Sequence, residues 1–462
     1  MKKNEMLGSL PAVDEVLQCV ELSDMRKSYS HAIFVQWVRV AIQQVRSQIL
    51  SGHVPFADDL RVSIVQHVRE LGQSDKHRTI GTVINATGII LHTNLGRAPL
   101  SSLALERMRN ASAYTNLEFD LESGKRCRRA ARLEEMLSKL TGAEDAMVVN
   151  NCAAATILVL QTLAFGLEVI ISRGQMVEIG GGFRLPDVFR IAGVILREVG
   201  TTNRTYCRDY EEAIGPNTGA IIRVHHSNFG QVGFVTSPEL KEIVAIERRN
   251  DLPIIDDLGS GNLYDLSKYG LNEPTVIDSL KAGTDLCLFS GDKLFGGPQC
   301  GIIVGKSCWL HRLRASPMMR ALRTDKITLA ALEATVENHF SGMAFKEVPV
   351  LRMLSKTPKE IEGLRQQLLS SISERVRKCI FEVDCESQVG GGSLPSQSLP
   401  SRGIAIRVPH VDRLAKLLRL GTPAILGHIA DQQLVLDLRT VNSQDLESLA
   451  FRINDVLSLY KT

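Results

Sequence analysis

The chain has no apolar run near the ~20 residues that a helix needs to cross a bilayer; each candidate is cut by charge, glycine or polar residues. A surplus of one charge is missing too, since 54 Lys plus Arg face 51 Asp plus Glu for a formal net charge of +3. That balance excludes a chain held open by self-repulsion. It also shows none of the basic bias usual in domains that bind nucleic acid by counterion release. The nine cysteines are scattered, with no Cys-x-x-Cys pair and no histidine cluster at zinc spacing. Free thiols in a reducing cytoplasm, and no metal site, are expected. The start, MKKNEMLGSLPAVDEVLQ, is charged but has no apolar stretch behind it, so it does not read as a secretory signal. No long internal repeat is visible.

What is present is 44% hydrophobic and 23% charged residues over 462 positions, the composition of an enzyme-sized globular chain with roughly two to three domains. Residues 1–78 read as short amphipathic helices, with apolar residues at three- and four-residue intervals in LPAVDEVLQCVEL, HAIFVQWVRVAIQQVRSQIL and DLRVSIVQHVREL. Asp24 or Ser30 is placed to cap the second of them. From 79 to 345 short apolar runs alternate with helical segments. The runs lie at 146–150, 168–172, 194–199, 220–226, 253–257, 285–290 and 301–305. This pattern predicts an α/β domain with a mostly parallel seven-stranded sheet covered by helices. Only ten residues separate the last two runs, so one strand is expected to be antiparallel. Residues 346–462 form a smaller α/β unit, in which the Gly/Ser/Pro stretch 389–403 reads as a loop.

Chemistry concentrates at the ends of these runs. Lys293 follows Ser290 in a glycine-rich turn, Ser290-Gly-Asp-Lys293-Leu-Phe-Gly-Gly. A lysine beyond the carboxyl end of a buried strand can have its pKa depressed and form a Schiff base with an aldehyde. Asp256 and Asp257 end another run, where a carboxylate suits a pyridinium nitrogen; Asp257 is nearer the glycine turn, and Asp256 stays open. Asn151, Cys152 and Ala153 lie where a strand runs into a helix through small residues, a phosphate site by the physics of helix N-termini. His225 and Asn228 follow a further strand and are candidates to reach a cofactor or substrate. Arg97, and the pair Arg320 and Arg323 spaced to share a helix face, suit an oxyanion. A phosphate site, a carboxylate and a lysine in that chain order resemble pyridoxal phosphate (PLP) enzymes of fold type I, the aspartate-aminotransferase fold.

Longer motifs narrow the resemblance. VINATGIILHTNLGRAPLS, AEDAMVVNNCAAA, SRGQMVEIGGGFRLPDV, VGTTNRT, DDLGSG and SGDKLFGGPQCGIIVGK are similar to the bacterial selenocysteine synthases, the L-seryl-tRNA(Sec) selenium transferases, over nearly the whole chain. One departure is Cys127, where a glycine is expected. The resemblance implies that Lys293 holds PLP and that serine carried by tRNA(Sec) loses its β-hydroxyl to leave an aminoacrylyl group. Selenium from selenophosphate then adds, with Arg97, Arg320 and Arg323 around that donor. It also implies that residues 1–78 grip the tRNA and that the protein is a dimer-based homo-oligomer, a decamer. Residues 1–78 do not reinforce the tRNA role by charge, with ten Lys/Arg against nine Asp/Glu, so recognition would rest on a local patch and on RNA shape. A PLP lyase acting on a small phosphorylated amino sugar or amino acid is the nearest rival, and the helical residues 1–78 argue against it.

Overall fold

The computed structural model describes residues 3–52, 60–247 and 252–460, and the chain divides into two compact units, Met1–Val83 and Ile84–Thr462. In the first unit the helical period is met along α1 (His31–Leu50), whose Phe34, Val38, Ala41, Val45 and Ile49 are all buried. This stripe packs with Leu60, Ile64, Val65 and Val68 of α2 (Leu60–Arg78) and with Val16, Cys19 and Leu22. Ser30 holds the N-cap position of α1 without a capping bond from its side chain, whereas Asp24 lies inside a separate helix, Ser23–Ser28.

The second unit is built on a seven-stranded sheet. Its strands are β1 (Asp145–Val149), β2 (Glu168–Ser172), β3 (Ile195–Val199), β4 (Thr218–Val224), β5 (Ile254–Gly259), β6 (Leu286–Ser290) and β7 (Gly301–Gly305), in the order β1-β7-β6-β5-β4-β2-β3. Strand β7 is antiparallel to both neighbours, and the remaining pairs are parallel. The ten-residue connection from β6 is too short for a helical crossover, so the chain must turn back. Alternate residues feed different layers. Met147, Ile171, Ile222, Ile255 and Leu288 pack against α3 (Cys152–Ala164), while Ala146, Val148, Cys287 and Phe289 join the core on the other face. The period of two therefore turns Asp257 toward α3 with Ile255 and turns Asp256 away from it.

After α4 (Met318–Ala321) and α5 (Lys326–Phe340), a second sheet is antiparallel throughout. It contains β8 (Ile380–Gly390), β9 (Ser393–Ile406), β10 (His428–Ala430) and β11 (Gln433–Asp437), ordered β8-β9-β11-β10. Here the expectation for 389–403 is corrected. The stretch is the tip and one arm of a long hairpin, not a loop, and its register holds from Gln388↔Ser398 to Ile380↔Ile406. Its left-handed residues are confined to the tip, where Gly390, Gly391, Gly392, Leu394 and Ser396 have φ between 53° and 73°, while Pro400, Ser401 and Gly403 lie in the paired arm. Beyond the tip the partners come from far away in sequence. The Ile90 and Leu91 N–H groups donate to the carbonyls of Gln388 and Val389 (2.9 and 2.7 Å), and Val389, Leu394 and Leu399 are buried with Ile90 and Leu91. The segment from Ala86 thus starts among the C-terminal strands, with the Asp437 N–H on the Ala86 carbonyl (2.9 Å), and ends at the Lys293 turn, with the Ala98 N–H on the Asp292 carbonyl (3.3 Å). Among the described residues no helix is long and apolar enough to cross a membrane.

Candidate active site

Lys293 stands just past the end of β6 and is only 7% exposed. Its turn is pinned on several sides: the Leu294 N–H donates to the Ser260 carbonyl (2.9 Å), and the Gly297 N–H to the Gly291 carbonyl (2.7 Å). His339 holds the next residue. Its Nε2–H donates to the Phe295 carbonyl (3.0 Å), which fixes the tautomer in which Nδ1 accepts from the Tyr264 hydroxyl (2.9 Å). Burial pulls the Lys293 ammonium below its ordinary pKa and Arg97 adds to this, while Cys152, Asp257 and Asp292 act in the opposite sense. Two glycines keep the space around the amine open: a Cβ built on Gly259 would lie 3.7 Å from Nζ, and one on Gly392 3.6 Å.

Asp257 lies on the same face. Its carboxylate accepts from the Thr156 hydroxyl (3.0 Å) and from the Cys152 thiol (3.7 Å), both on α3. Burial raises its pKa to about 6, against the Thr156 hydrogen bond and the Lys293 charge, which lower it. Asp256 is turned the other way, fully buried, accepting from Ser279 (2.6 Å) with Arg223 at 3.5 Å. Asn151 caps α3 by accepting the Ala154 N–H (2.8 Å), and the first-turn N–H groups of Cys152 and Ala153 have no partner within the helix. The Cys152 thiol is pushed well above its ordinary pKa by burial and by Asp257, with Lys293 and Ser290 opposing.

His225 continues β4, its N–H on the Asp257 carbonyl (3.0 Å). Burial, with Arg223 next, drops its imidazole pKa to about 4. Asn228 does not join this group: it is exposed and donates to the Glu178 carbonyl (2.7 Å). Its buried neighbour Ser227 does, with Oγ 3.6 Å from the same Gly392 Cβ position that approaches Lys293. Arg97 follows Gly96 with its own φ at 60° and donates to Asp292 (2.8 Å), one residue before Lys293.

Arg320 and Arg323 sit elsewhere. The helix that carries Arg320, α4, ends at Ala321, so the pair does not share a helix face. Both nevertheless line one cavity of about 660 Å³ beside β1, with Arg126, Arg128, Arg129 and Arg314 against Glu118 and Glu134. Neither Lys293 nor Arg97 is in its described lining. Cys127 is part of this wall; its N–H donates to the Glu118 carbonyl (3.0 Å). The left-handed positions flanking this loop fall at Gly124 (φ 65°) and Ala130 (φ 57°) and not at Cys127, so no glycine is needed there.

A family model described as L-seryl-tRNA selenium transferase matches residues 83–442, and one described as selenocysteine synthase N terminal matches residues 7–46. The chain belongs to the L-seryl-tRNA selenium transferase family. Relatives with the name L-seryl-tRNA(Sec) selenium transferase include one from Carboxydothermus hydrogenoformans, 44% identical over 97% of this chain and 97% of its own. Another, from Hyphomonas neptunium, is 42% identical over 97% of this chain and 98% of its own. Among solved structures, a D-glucosaminate-6-phosphate ammonia-lyase aligns with a TM-score of 0.59 at 19% identity, covering 84% of this chain and 97% of that one. That likeness concerns the fold, which is fold type I of the PLP-dependent enzymes.

In this member of the family, Lys293, Asp257, Cys152, Asn151, His225 and Arg97 meet at one set of strand ends, and Ser290 ends β6 beside them. Sequence reasoning passed over Thr156, Ser227 and Gly392. Thr156 carried a signal, being one turn after Cys152 and so on the same helix face. The run Gly390–Gly392 carried another, since three glycines together mark a backbone that approaches something closely.

Proposed function

We propose that the chain converts L-seryl-tRNA(Sec) to L-selenocysteinyl-tRNA(Sec), with PLP held at Lys293 and selenium taken from selenophosphate. The observation that carries this reading is the buried Lys293 amine facing Asp257 at the carboxyl ends of β6 and β5. The residues present fit the cofactor: an amine depressed by burial, a carboxylate on the same face, free first-turn N–H groups on α3, and two glycines that leave room at Nζ. Bound there, PLP supplies a sink for the electrons left when the serine α-proton departs.

Each residue then has a task. Asp257 would hold the ring nitrogen, and Asn151, Cys152, Ala153 and Ser290 the phosphate end. His225 lies at the flank. Lys293, as a free amine, would take the proton from the serine α-carbon and return one to the departing hydroxyl; its depressed pKa suits both transfers. Arg97, Arg320 and Arg323 bind the selenophosphate oxygens. Arg97 flanks Lys293 whereas the other two line a separate cavity, so the working form is read as a homo-oligomer built from dimers, a decamer by family resemblance. In the same reading residues 1–78 grip the tRNA, 79–345 hold PLP and 346–462 close the site, in the cytoplasm where charged tRNA is found.

The test is conversion of seryl-tRNA(Sec) in the presence of selenophosphate. PLP-loaded protein is expected to form the selenocysteinyl product, and Lys293→Ala to lose both the visible absorbance of bound cofactor and turnover. A protein that takes up PLP but acts on a free amino acid, and not on seryl-tRNA(Sec), overturns the substrate assignment. A colourless protein overturns the cofactor.

A further inference from the structure

Buried polar atoms in folded chains are nearly always hydrogen-bonded, yet four without a partner converge in one place beside Lys293. They are His225 Nδ1, Ser260 Oγ and both carboxylate oxygens of Glu273. Ser260 is fully buried and Glu273 is 6% exposed. His225 Nδ1 lies 3.9 Å from Glu273 Oε1, about 1 Å beyond a hydrogen bond. Burial raises the Glu273 carboxyl above its ordinary pKa, with the Ser260 hydroxyl, the Leu394 N–H and the Lys293 charge opposing it, and after burial Lys293 is among the charges that lower His225.

The backbone beneath Glu273 is firmly held. The buried Asn262 side chain donates to the Glu273 carbonyl (3.0 Å) and to the Tyr264 carbonyl (2.9 Å). Two residues on, Thr275 caps the helix Val276–Ala282. The carboxylate is therefore aimed from a rigid mount at the imidazole. The other charges acting on His225 are Arg223, His226 and Lys293, all cationic or neutral, which leaves Glu273 as the described acceptor facing Nδ1.

We propose that Glu273 is a positioning residue: by closing the remaining gap it takes the Nδ1–H of His225, with Ser260 donating to its other oxygen, and so presents Nε2 of a neutral imidazole as an acceptor beside Lys293. The inference rests on the functional reading above for the reaction it serves, but the tautomer is a property of the chain itself. A neutral imidazole has one N–H and one lone pair, and an ionised carboxylate only accepts. Fixing the proton on Nδ1 thus decides what the other nitrogen can do. A carboxylate with no such role would be a costly group to bury.

Three variants of Glu273 test it. In full-length protein carrying 15N-labelled histidine and no cofactor, the His225 signal, identified by its loss in His225→Gln, is expected to show the Nδ1–H tautomer. Glu273→Leu is expected to abolish that preference. In loaded protein, Glu273→Gln should keep PLP absorbance and tRNA binding while kcat falls roughly 10–100-fold at unchanged KM, the scale typical of groups that orient an imidazole. Glu273→Asp should restore part of the loss. Identical His225 tautomers in wild type and Glu273→Leu, or an unchanged kcat in Glu273→Gln, would overturn the proposal. If Glu273→Leu does not fold, the tautomer is read in Glu273→Ala, which also lacks an acceptor, with the same two outcomes. Failure of the wild type to load PLP or convert seryl-tRNA(Sec) would count against the functional reading, and the histidine spectrum would still decide the Glu273–His225 contact.

Discussion

Replacing Asp437 by alanine is expected to be among the most damaging single changes in the second unit, although the residue lies in the C-terminal sheet. Its carboxylate is fully buried and accepts from the hydroxyls of Ser387 and Ser401 (2.6 Å each) and from the Arg439 N–H (2.9 Å). Gly88 packs so closely that a Cβ there would come within 2.3 Å of Oδ2. The Arg439 side chain, 1% exposed, is caged by the carbonyls of Met353, Lys356 and Pro400, and Asp437 is the foremost anion offsetting its burial. Truncation strips two buried hydroxyls of their acceptor at about 1–3 kcal/mol each. It also leaves a buried cation without its counter-charge, so the expected loss is about 3–5 kcal/mol. Asp437→Asn loses the same counter-charge but keeps one acceptor oxygen, so it should be less damaging than alanine by about 1–3 kcal/mol. Urea unfolding measures both, as shifts in midpoint at constant slope. Ser387 leads along β8 to the glycine tip at Lys293, so cofactor absorbance should fall in the alanine variant as well. A loss below about 1 kcal/mol, or an asparagine variant worse than alanine, would refute this account of the network.

Two further predictions follow from the sites. Burial holds His339 neutral, with a pKa of about 4, so between pH 6.5 and 4 the unfolded chain binds a proton that the folded chain does not. Its contribution is complete above pH 6.5 and weakens as pH falls, by about 2 kcal/mol at pH 5. The stability gap between wild type and His339→Gln should therefore narrow by that amount from pH 8 to pH 5; a gap independent of pH would contradict the buried neutral imidazole. In the arginine-lined cavity, Arg320→Ala and Arg323→Ala should each raise the KM for selenophosphate by roughly 10-fold or more, the equivalent of one charge-assisted hydrogen bond. PLP absorbance should stay unchanged, and an unaltered KM would remove these residues from the donor site.

Much of the site could be read from local sequence because its parts sit at strand ends. A near-continuous apolar run fixes a buried strand, and the residue after it must then emerge at the sheet's carboxyl edge. That logic located Lys293, Asp257 and the Asn151 turn, and it anticipated the reversed strand β7 from the length of one connection. It preferred Asp257 only for nearness to the glycine turn and left Asp256 open, since adjacent residues on a strand face opposite layers and only the position of α3 says which layer holds the site. Nor did it place Asn228, whose side chain turned outward to the Glu178 carbonyl while Ser227 turned in.

The sequence by itself determined the helical first unit, the α/β sheet and the position of Lys293 just past a strand end, because each follows from periodicities and turns a few residues long. Only the tertiary structure decided that a Gly/Ser/Pro stretch becomes a hairpin arm, that its glycine tip lies beside Lys293, and that Glu273 faces His225. These depend on partners far apart in the chain. The hairpin is completed by Ile90 and Leu91 and clamped by Asp437, and no local pattern records a hydrogen bond between residues some 300 positions distant.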